Sequence, residues 1–486
     1  MSKVPSGAPG EDAPEVGQRL VLDVASLDPR GDGVARTPGG FVVFVEGGLP
    51  GDRVEAVVSH RARHHARARL ARQIRPSPLR VEGPCPVAET CGGCPLIHLA
   101  YPAQLEAKRS GVQDALVHTG GLEEAASRVL PVRGMEVPWG YRNKAQYPVG
   151  RGHDGRPVIG FYRRGTHEVV EALDCRVQHP LNVRLARATR DAIEELSLPP
   201  YDEATGSGLV RHLVCRTGAA TGEALLVVVT ARDGPEVRQA LGQLAERVRR
   251  RVPELVGVVQ NVNPLRTNVV LGKRSAVVWG REFLEERVGA VRLRLSATAF
   301  FQVNTRQAEV LYGEVRRRVE TFLEARGQLG RGTLLDLYCG VGGIGIAASD
   351  RVGRLIGVEE VQEAVDDARR NAELNGVRHA RWVAGDVEEV LPRLLQEGGE
   401  RMRPLLVVVD PPRKGLDAAV VRALVRAQPE LLVYVSCHPV TLARDLRQFV
   451  KGVEAQGLTY RWDPVQPVDM FPQTAHVEVV ASLWRA

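Results

Sequence analysis

The sequence predicts a multidomain protein with a small N-terminal β-barrel, a central α/β region and a C-terminal Rossmann-like α/β domain. Three observations support this prediction. The chain has 486 residues, enough for two to four domains. Short β-rich runs separated by Gly-rich turns fill residues 15–75. From about residue 330 onward, apolar strands alternate with helical segments, which is typical of a parallel sheet covered by helices.

The composition is that of an ordinary globular protein. Apolar residues make up 44% and charged residues 25% of the chain, and the formal net charge is +7. That charge is compatible with nucleic-acid binding but is weak evidence by itself. No apolar run approaches the roughly 20 residues that span a bilayer, and the polar N-terminus lacks the apolar core of a signal peptide. We therefore expect a cytoplasmic monomer with a disordered tail at residues 1–14 and no membrane association.

The N-terminal region contains an unusually basic run. Predicted strands Arg19–Val24, Phe41–Val45 and Arg53–Val58 are followed by arginines that alternate with alanines. In a strand, alternate residues lie on one face, so this run predicts a cationic stripe. The stripe could be a solvated edge strand protected from aggregation, but we favour RNA contact. The predicted RNA-binding arginines are Arg61, Arg63, Arg67 and Arg69.

A Gly-rich segment follows the first strand of the C-terminal domain. Strand Leu334–Leu337 leads into four glycines between Gly340 and Gly345, which let the backbone turn tightly and approach a ligand. The second strand ends in Glu359, which can accept hydrogen bonds from the ribose hydroxyls of an adenosine. This combination predicts a nucleotide cofactor, either NAD or S-adenosylmethionine (SAM).

The fourth strand, Leu405–Val409, ends in Asp410-Pro-Pro. Methyltransferases that act on nucleobases often carry an acidic or Asn residue followed by Pro-Pro at this point. Ligands bind at the carboxyl ends of such strands, so Asp410 should face the cofactor and base pockets. The motif therefore favours SAM over NAD.

The fifth strand, Leu431–Val435, runs directly into Cys437. Carbon 5 of uracil is too weakly nucleophilic to be methylated directly. A thiolate that adds to carbon 6 produces an enolate, and carbon 5 of this enolate attacks the methyl group of SAM. A base must then remove the proton from carbon 5 so that the thiolate can leave. We predict Cys437 as the nucleophile and Glu478, in the strand-like run Ala475–Leu483, as the base.

Other functions explain these residues less well. Cytosine-5 enzymes usually carry a cysteine after the proline of the fourth-strand motif, where this chain has Arg413. Adenine N6 transfer needs no thiol and leaves Cys437 unexplained. A non-catalytic RNA-binding or assembly factor is the alternative of another class, but the full set of motif residues argues against an inactive fold.

The central region carries cysteines with the spacing of metal ligands. Three lie within ten residues and a fourth lies further along the chain: Cys85, Cys91, Cys94 and Cys175. Four thiolates suit either zinc or a [4Fe–4S] cluster, and the spacing does not choose between them. We interpret the remaining cysteines outside the catalytic motif, Cys215 and Cys339, as core residues.

With these residues the chain resembles the bacterial RNA uridine-5-methyltransferases, specifically the iron–sulfur branch that acts on 23S ribosomal RNA. The resemblance covers nearly the whole chain and implies an N-terminal TRAM domain, an RNA-binding OB-like barrel. It also implies a [4Fe–4S] cluster on the four cysteines, a SAM contact from Gln302 and a base-stacking role for Phe300. The other predicted SAM-binding residues are Tyr338, Gly340 of the glycine loop, Glu359, Asp386 and Asp410.

The resemblance also implies a domain layout and a substrate. The barrel would occupy residues 15–75, and residues 76–97 with 125–295 would form the cluster-binding domain. Residues 98–124 would join 296–486 in the catalytic domain. The common bacterial tRNA enzymes lack the barrel and the cluster, so we expect 23S rRNA as the partner. Methylation of the T-loop uridine of tRNA by the same chemistry remains the alternative.

Overall fold

The structure is a computed structural model that describes residues 13–152 and 154–486, so most of the predicted N-terminal tail lies outside the described residues. The first region is a closed barrel of five strands. The strands are β1 (Arg19–Leu27), β2 (Gly33–Arg36), β3 (Val42–Glu46), β4 (Arg53–Arg61) and β5 (His65–Arg75). Their order around the barrel is β1-β2-β3-β5-β4, with β3 and β5 parallel.

The basic run of the barrel is not the single strand that the alternation predicts. Arg61 ends β4, Arg63 lies in the following turn, and β5 begins at His65. The two strands pair antiparallel, with Arg61 opposite Ala66, so the run is a hairpin. The alternation holds only within β5, where Ala66 and its alternate neighbours fill the barrel core. The prediction of one continuous stripe is therefore wrong.

Helices connect the barrel to the rest of the chain. They are α1 (Tyr101–Asp114), a π-helix (Ala115–Gly120) and α2 (Glu123–Ser127). Val112 and Leu116 are fully buried in the same core as the strands of the C-terminal sheet. This helical segment therefore packs on the C-terminal sheet, although the central sheet follows it in the sequence.

The central region is a seven-stranded mixed sheet with helices on one face. Its elements are β6 (Lys144–Arg151), β7 (Pro157–Tyr162), β8 (Val169–Glu171), α3 (Pro180–Glu195), β9 (Val210–Thr217), β10 (Ala224–Thr230), α4 (Pro235–Arg251), β11 (Leu255–Val262) and β12 (Arg274–Gly280). The strand order is β12-β11-β10-β9-β6-β7-β8. The helices α3 and α4 cover one face, and the other face shares a core with the hairpin β13 (Phe283–Val288) and β14 (Val291–Ser296).

The C-terminal region is an eight-stranded sheet between two helical layers. Its elements are α5 (Thr305–Glu324), β15 (Thr333–Leu337), α6 (Gly343–Ala348), a 3₁₀ turn (Ser349–Arg351), β16 (Arg354–Glu359), α7 (Gln362–Leu374), β17 (Ala380–Ala384), α8 (Val387–Gly398), a 3₁₀ turn (Gly399–Met402), β18 (Leu405–Val409), α9 (Ala418–Ala427), β19 (Leu431–Ser436), α10 (Pro439–Glu454), β20 (Tyr460–Trp462), β21 (Gln466–Val468) and β22 (Glu478–Arg485). The strand order is β17-β16-β15-β18-β19-β22-β20, and β21 pairs with β22.

The first five strands of this order are parallel, as predicted, and β22 runs antiparallel to β19. Apolar cores lie on both faces of the sheet. Cys215 and Cys339 are buried, with 0% and 8% exposure, which confirms them as core residues. Within the described part of the chain, no helix is both long and apolar enough to cross a membrane.

Candidate active site

The predicted nucleophile and base lie opposite each other at the carboxyl edge of the C-terminal sheet. Because β22 is antiparallel to β19, it begins where β19 ends. The last pair of this ladder is Ser436 with Val479. Beyond this pair, Cys437 follows Ser436 on one strand and Glu478 precedes Val479 on the other, so these two residues lie opposite each other. Asp410 follows β18, the neighbour of β19 on its other side.

The Cys437 thiol is half-buried and its environment opposes ionisation. Burial raises the pKa of Cys437 to about 11, and the carboxyl groups of Glu478 and Asp410 add to that increase. Arg413 acts in the opposite direction, since its charge and a side-chain hydrogen bond to the thiol lower the pKa. The thiol is therefore protonated at neutral pH in this state and needs a change of environment or a proton acceptor to react.

The carboxyl groups beside the thiol are also poorly solvated. Glu478 is 3% exposed, and its Oε2 atom has no hydrogen-bond partner among the described residues. Burial, followed by the neighbouring Asp410, raises the pKa of Glu478 well above its usual range. Burial, followed by Asp336, raises the pKa of Asp410 to about 7. Carboxyl groups with raised pKa values are suited to exchange protons near neutral pH.

Arg413 is a site residue that sequence reasoning missed as a functional group. It is exposed and makes no ion pair within the described residues, yet its charge acts on the thiol, on Glu478 and on two histidines. Its position three residues after Asp410, in the turn that follows β18, could have identified it as a site residue from the sequence. In the sequence, Arg413 had served only to distinguish a uracil enzyme from a cytosine enzyme.

The two histidines near Cys437 are neutral at physiological pH. His438 is the N-cap of α10, where its Nδ1 atom accepts a hydrogen bond from the Thr441 N–H at 3.4 Å. Burial, then the nearby Arg413, lowers the pKa of His438 and also that of His476, the latter to about 4. Neither imidazole therefore supplies a positive charge to the thiol.

The glycine loop forms a tight turn between β15 and α6. Tyr338 and Gly340 have φ angles of +63° and +52°. At Gly342, with a φ of +81°, an added Cβ atom would lie 2.7 Å from the Trp382 ring, so only glycine fits without a shift. The Oε2 atom of Glu359, at the end of β16, accepts a hydrogen bond from the Gly340 N–H at 3.0 Å. The acidic residue and the loop are therefore in direct contact at the carboxyl ends of β15 and β16, where ligands of such sheets bind.

The remaining residues predicted to contact SAM or the base differ in how they are held. Gln302 is 6% exposed, and its backbone oxygen accepts a hydrogen bond from Asn143 Nδ2 at 2.9 Å. Phe300 is 68% exposed, so its ring is free to stack on a base. Asp386 is exposed beyond β17 and caps α8 by accepting a hydrogen bond from the Glu388 N–H at 3.0 Å. This structural role already explains Asp386.

Two further cations, Lys144 at the start of β6 and Arg142 two residues before it, make no ion pair within residues 13–152 and 154–486 and were not predicted as site residues. Asn143 lies between them and bonds the Gln302 backbone oxygen. The Nε atom of Arg142 is buried with no partner in the same part of the chain. Burial, then the nearby Arg216 and Arg142, lowers the pKa of Lys144 to about 7. Partly buried cations without acidic partners are typical of sites that meet an anionic ligand.

The four predicted metal-binding cysteines line one cavity of about 340 Å³. Burial raises the pKa of Cys91 and Cys175, and burial together with the other three cysteines raises that of Cys94 to about 12. No group of three or more His, Cys, Asp or Glu side chains in residues 13–152 and 154–486 has the geometry to hold a metal ion.

The predicted RNA-binding arginines of the barrel are not equivalent. Arg67 forms an ion pair with Asp32 at 2.7 Å, and Arg69 lies 3.9 Å from Glu46. Arg61 and Arg63 are exposed and make no ion pair among the described residues. The hairpin therefore presents its free positive charge at its turn rather than along β5.

Known proteins resemble this chain in both sequence and structure. The family model of tRNA (uracil-5-)-methyltransferases matches residues 269–485, and the TRAM domain model matches residues 14–71. An uncharacterized RNA methyltransferase of Halalkalibacterium halodurans is 40% identical over 95% of this chain and 96% of its own length. A similar protein of Gloeobacter violaceus is 39% identical, with 97% of each chain covered.

A solved structure also covers almost the whole chain. It is the tRNA (uracil-54, C5)-methyltransferase of Pyrococcus abyssi in complex with S-adenosyl-L-homocysteine. The two chains are 28% identical and superpose with a TM-score of 0.72 over 96% of this chain and 100% of that one. The barrel is thus confirmed as a TRAM domain and the C-terminal sheet as a SAM methyltransferase fold. This chain belongs to the TRAM-containing family of RNA uracil-5-methyltransferases.

Proposed function

We propose that the protein transfers a methyl group from SAM to carbon 5 of a specific uridine in 23S rRNA, through a covalent bond between Cys437 and carbon 6. The observation that carries this proposal is the register of β19 and β22, which places Cys437 opposite Glu478. A thiol and a carboxyl group facing each other at the ligand-binding edge supply the nucleophile and the base that this reaction needs.

In the first half of the reaction the Cys437 thiolate adds to carbon 6 of the uracil. The thiol must first lose its proton to solvent, and Arg413 favours the charged form that remains. Addition moves the electron pair of the C5–C6 double bond toward carbon 5 and the O4 oxygen. SAM, when bound, supplies the methyl group that carbon 5 then takes.

In the second half Glu478 removes the proton from carbon 5. The electron pair of the C5–H bond restores the C5–C6 double bond, the C6–sulfur bond breaks, and the thiolate of Cys437 leaves. The buried environment of Glu478 suits this role, because a raised pKa makes its carboxylate a stronger base.

The proposed SAM contacts lie at the same edge of the sheet. Gly340 opens the loop at the end of β15, and Glu359 is placed to accept hydrogen bonds from the ribose. Tyr338, Gln302 and Asp410 complete the proposed pocket, whereas Asp386 is the weakest member because its carboxyl group already caps α8.

We also propose that the four cysteines hold a [4Fe–4S] cluster. Their placement around one cavity supports this proposal, because four thiolates suit such a cluster; zinc, which four thiolates also suit, is the alternative. Methyl transfer needs no electron, so we assign the cluster a structural role. Iron and sulfide analysis of anaerobically purified protein tests this, and the proposal expects four of each; stoichiometric zinc would contradict it.

The T-loop uridine of tRNA is the second candidate substrate. It is favoured by the P. abyssi structure, whose protein acts on uracil 54 of tRNA and aligns with 96% of this chain. An alignment of that extent includes most of the barrel, so a barrel does not by itself select ribosomal RNA.

The experiment that tests the proposed function is mass-spectrometric mapping of 5-methyluridine in 23S rRNA and tRNA, from cells with and without this protein. Loss at one or two 23S positions is the expected result. If 5-methyluridine is lost only from the tRNA T-loop, the proposed reaction stands but its substrate is tRNA rather than 23S rRNA. No loss in either RNA would contradict the proposal.

A further inference from the structure

The segment Asp469–Thr474, between β21 and β22, is buried although half of its residues are polar. Asp469 is 0% exposed, Gln473 is 1% exposed and Thr474 is 7% exposed. Gln473 also has a φ of +69°, which is uncommon for a residue other than glycine. A buried polar segment in a strained conformation persists only where its surroundings hold it firmly.

One end of this segment is held by a buried ion pair with α1. Lys108 Nζ donates to Asp469 Oδ1 at 2.5 Å and to the Phe471 carbonyl oxygen at 3.1 Å. The Tyr101 hydroxyl donates to Asp469 Oδ2 at 2.7 Å. Asp469 directly follows Val468, and Val468 pairs with Glu478 across β21 and β22. The ion pair is thus anchored one residue from the strand partner of the proposed base.

The other end is held by a reciprocal amide pair. Gln104 Nε2 donates to Gln473 Oε1 at 2.9 Å, and the Gln473 N–H donates to Gln104 Oε1 at 3.0 Å. The same Gln104 amide donates to the Leu96 carbonyl oxygen at 3.0 Å, and the Leu96 N–H donates to the Gln473 carbonyl oxygen at 3.1 Å. Leu96 lies two residues after Cys94, so these contacts join the cysteine segment to the segment that leads into β22.

Glu478 depends on these backbone restraints because its own side chain is weakly held. Its Oε2 atom has no hydrogen-bond partner, so the position of the carboxyl group follows the position of the backbone at the start of β22. An error of about 1 Å in the placement of a catalytic group can cost on the order of a hundredfold in rate. Contacts that fix this backbone are therefore expected to affect the step in which Glu478 takes part.

We propose that Gln104, through its amide pair with Gln473, is a positioning residue for Glu478 and thereby controls proton removal from carbon 5. This inference rests on the proposed function, since it concerns the second half of that reaction. Gln104 touches neither the cysteine thiol nor the carboxyl group, so it leaves addition and methyl transfer intact. Its loss slows the release of the enzyme from the methylated uridine.

The experiment compares the two halves of the reaction in Gln104→Ala and Gln473→Asn. Asparagine keeps an amide and tolerates a positive φ, but it is too short to reach Gln104. Single-turnover transfer of labelled methyl groups to 23S rRNA and tRNA transcripts measures the first half. The fraction of RNA that stays bound to protein on denaturing gels measures the second. Glu430→Gln is the matched control, because Glu430 bridges Arg403 and Arg485 at the opposite edge of the sheet.

We expect Gln104→Ala and Gln473→Asn to keep the single-turnover rate within about twofold of wild type. Their steady-state turnover should fall about tenfold, and the protein–RNA adduct should accumulate. Gln104→Ala removes every hydrogen bond of that side chain, including the one that Gln473→Asn removes, so the double variant should fall no further than Gln104→Ala. Equal loss in both half-reactions, additive losses or an adduct fraction like that of Glu430→Gln would overturn the inference. Absence of any wild-type adduct on 5-fluorouridine RNA would instead overturn the proposed function.

Discussion

Charged groups are arranged differently at the carboxyl edge of the C-terminal sheet and in the N-terminal barrel. At the carboxyl edge of the sheet, acidic groups have raised pKa values, as for the buried Glu478 and the half-buried Asp410. In the barrel, most charged groups form ion pairs, as in Arg67–Asp32 and Arg19–Glu55. We propose that the groups at the edge react and that the arginines of the barrel that make no ion pair, Arg61 and Arg63, contact RNA. Substitutions at the edge should therefore change rates, and those in the barrel should change affinity.

The largest effect is expected at Cys437. Cys437→Ala removes the nucleophile, so methylation should fall at least about a thousandfold, while SAM binding is retained. Methyl transfer and SAM titration measure the two properties. The matched control is Cys215→Ala, a buried cysteine of the central sheet that should leave the rate within about twofold. Retained turnover in Cys437→Ala would remove this residue from the mechanism.

A smaller effect is expected at Glu478. Glu478→Gln keeps the size of the side chain but removes the base, so turnover should fall about 10²- to 10⁴-fold. Because addition and methyl transfer do not need this base, a methylated protein–RNA adduct should accumulate on ordinary uridine. Denaturing gels with labelled RNA detect it. Near-normal turnover without an adduct would contradict the assignment.

An effect of about tenfold or less is expected at Arg413. Its charge lowers the pKa of Cys437, so Arg413→Met should raise that pKa further and reduce the thiolate present at any given pH. At pH values below the Cys437 pKa of about 11, the thiolate fraction and the single-turnover rate should rise up to tenfold for each pH unit. A pH series from 6 to about 9 compares wild type, Arg413→Met and the neighbouring control Lys414→Met. A rate that is independent of pH would show that deprotonation of Cys437 is not limiting.

The smallest effect is expected in the barrel. Replacing Arg61 and Arg63 with methionine should weaken RNA binding a few-fold and leave the rate at saturating RNA unchanged. If each arginine neutralises one phosphate, the slope of log affinity against log salt should decrease by about 0.7 per residue. Arg331→Met, at the amino end of β15, is the control. An unchanged slope would mean that the turn of this hairpin does not contact RNA.

The same contrast explains what the sequence could predict. The buried strand Leu405–Val409 has the predicted bounds, because an uninterrupted apolar run marks it. The barrel hairpin was misjudged, because residues 62–64 turn without the Gly or Pro that usually marks a turn. Alternation of arginine and alanine therefore looked continuous across two strands.

The candidate site shows a similar limit. Motif positions and reaction chemistry identify Cys437, Glu478 and Asp410, because each lies at the end or start of a predictable strand. They do not identify Arg413 or Lys144, whose importance depends on which charges are brought near them in three dimensions. The roles of all these residues in catalysis stay predictions until they are measured.

The central claim is the covalent bond between Cys437 and the target uracil, and one measurement tests it most directly. The protein is incubated with SAM and 5-fluorouridine-substituted 23S rRNA, and the digested complex is analysed by mass spectrometry. Fluorine at carbon 5 cannot leave as a cation, so Glu478 cannot complete the release. We predict a peptide in which Cys437 carries a methylated 5-fluorouridine nucleotide. A methylated RNA product with no such peptide, or an adduct on another residue, would contradict the account.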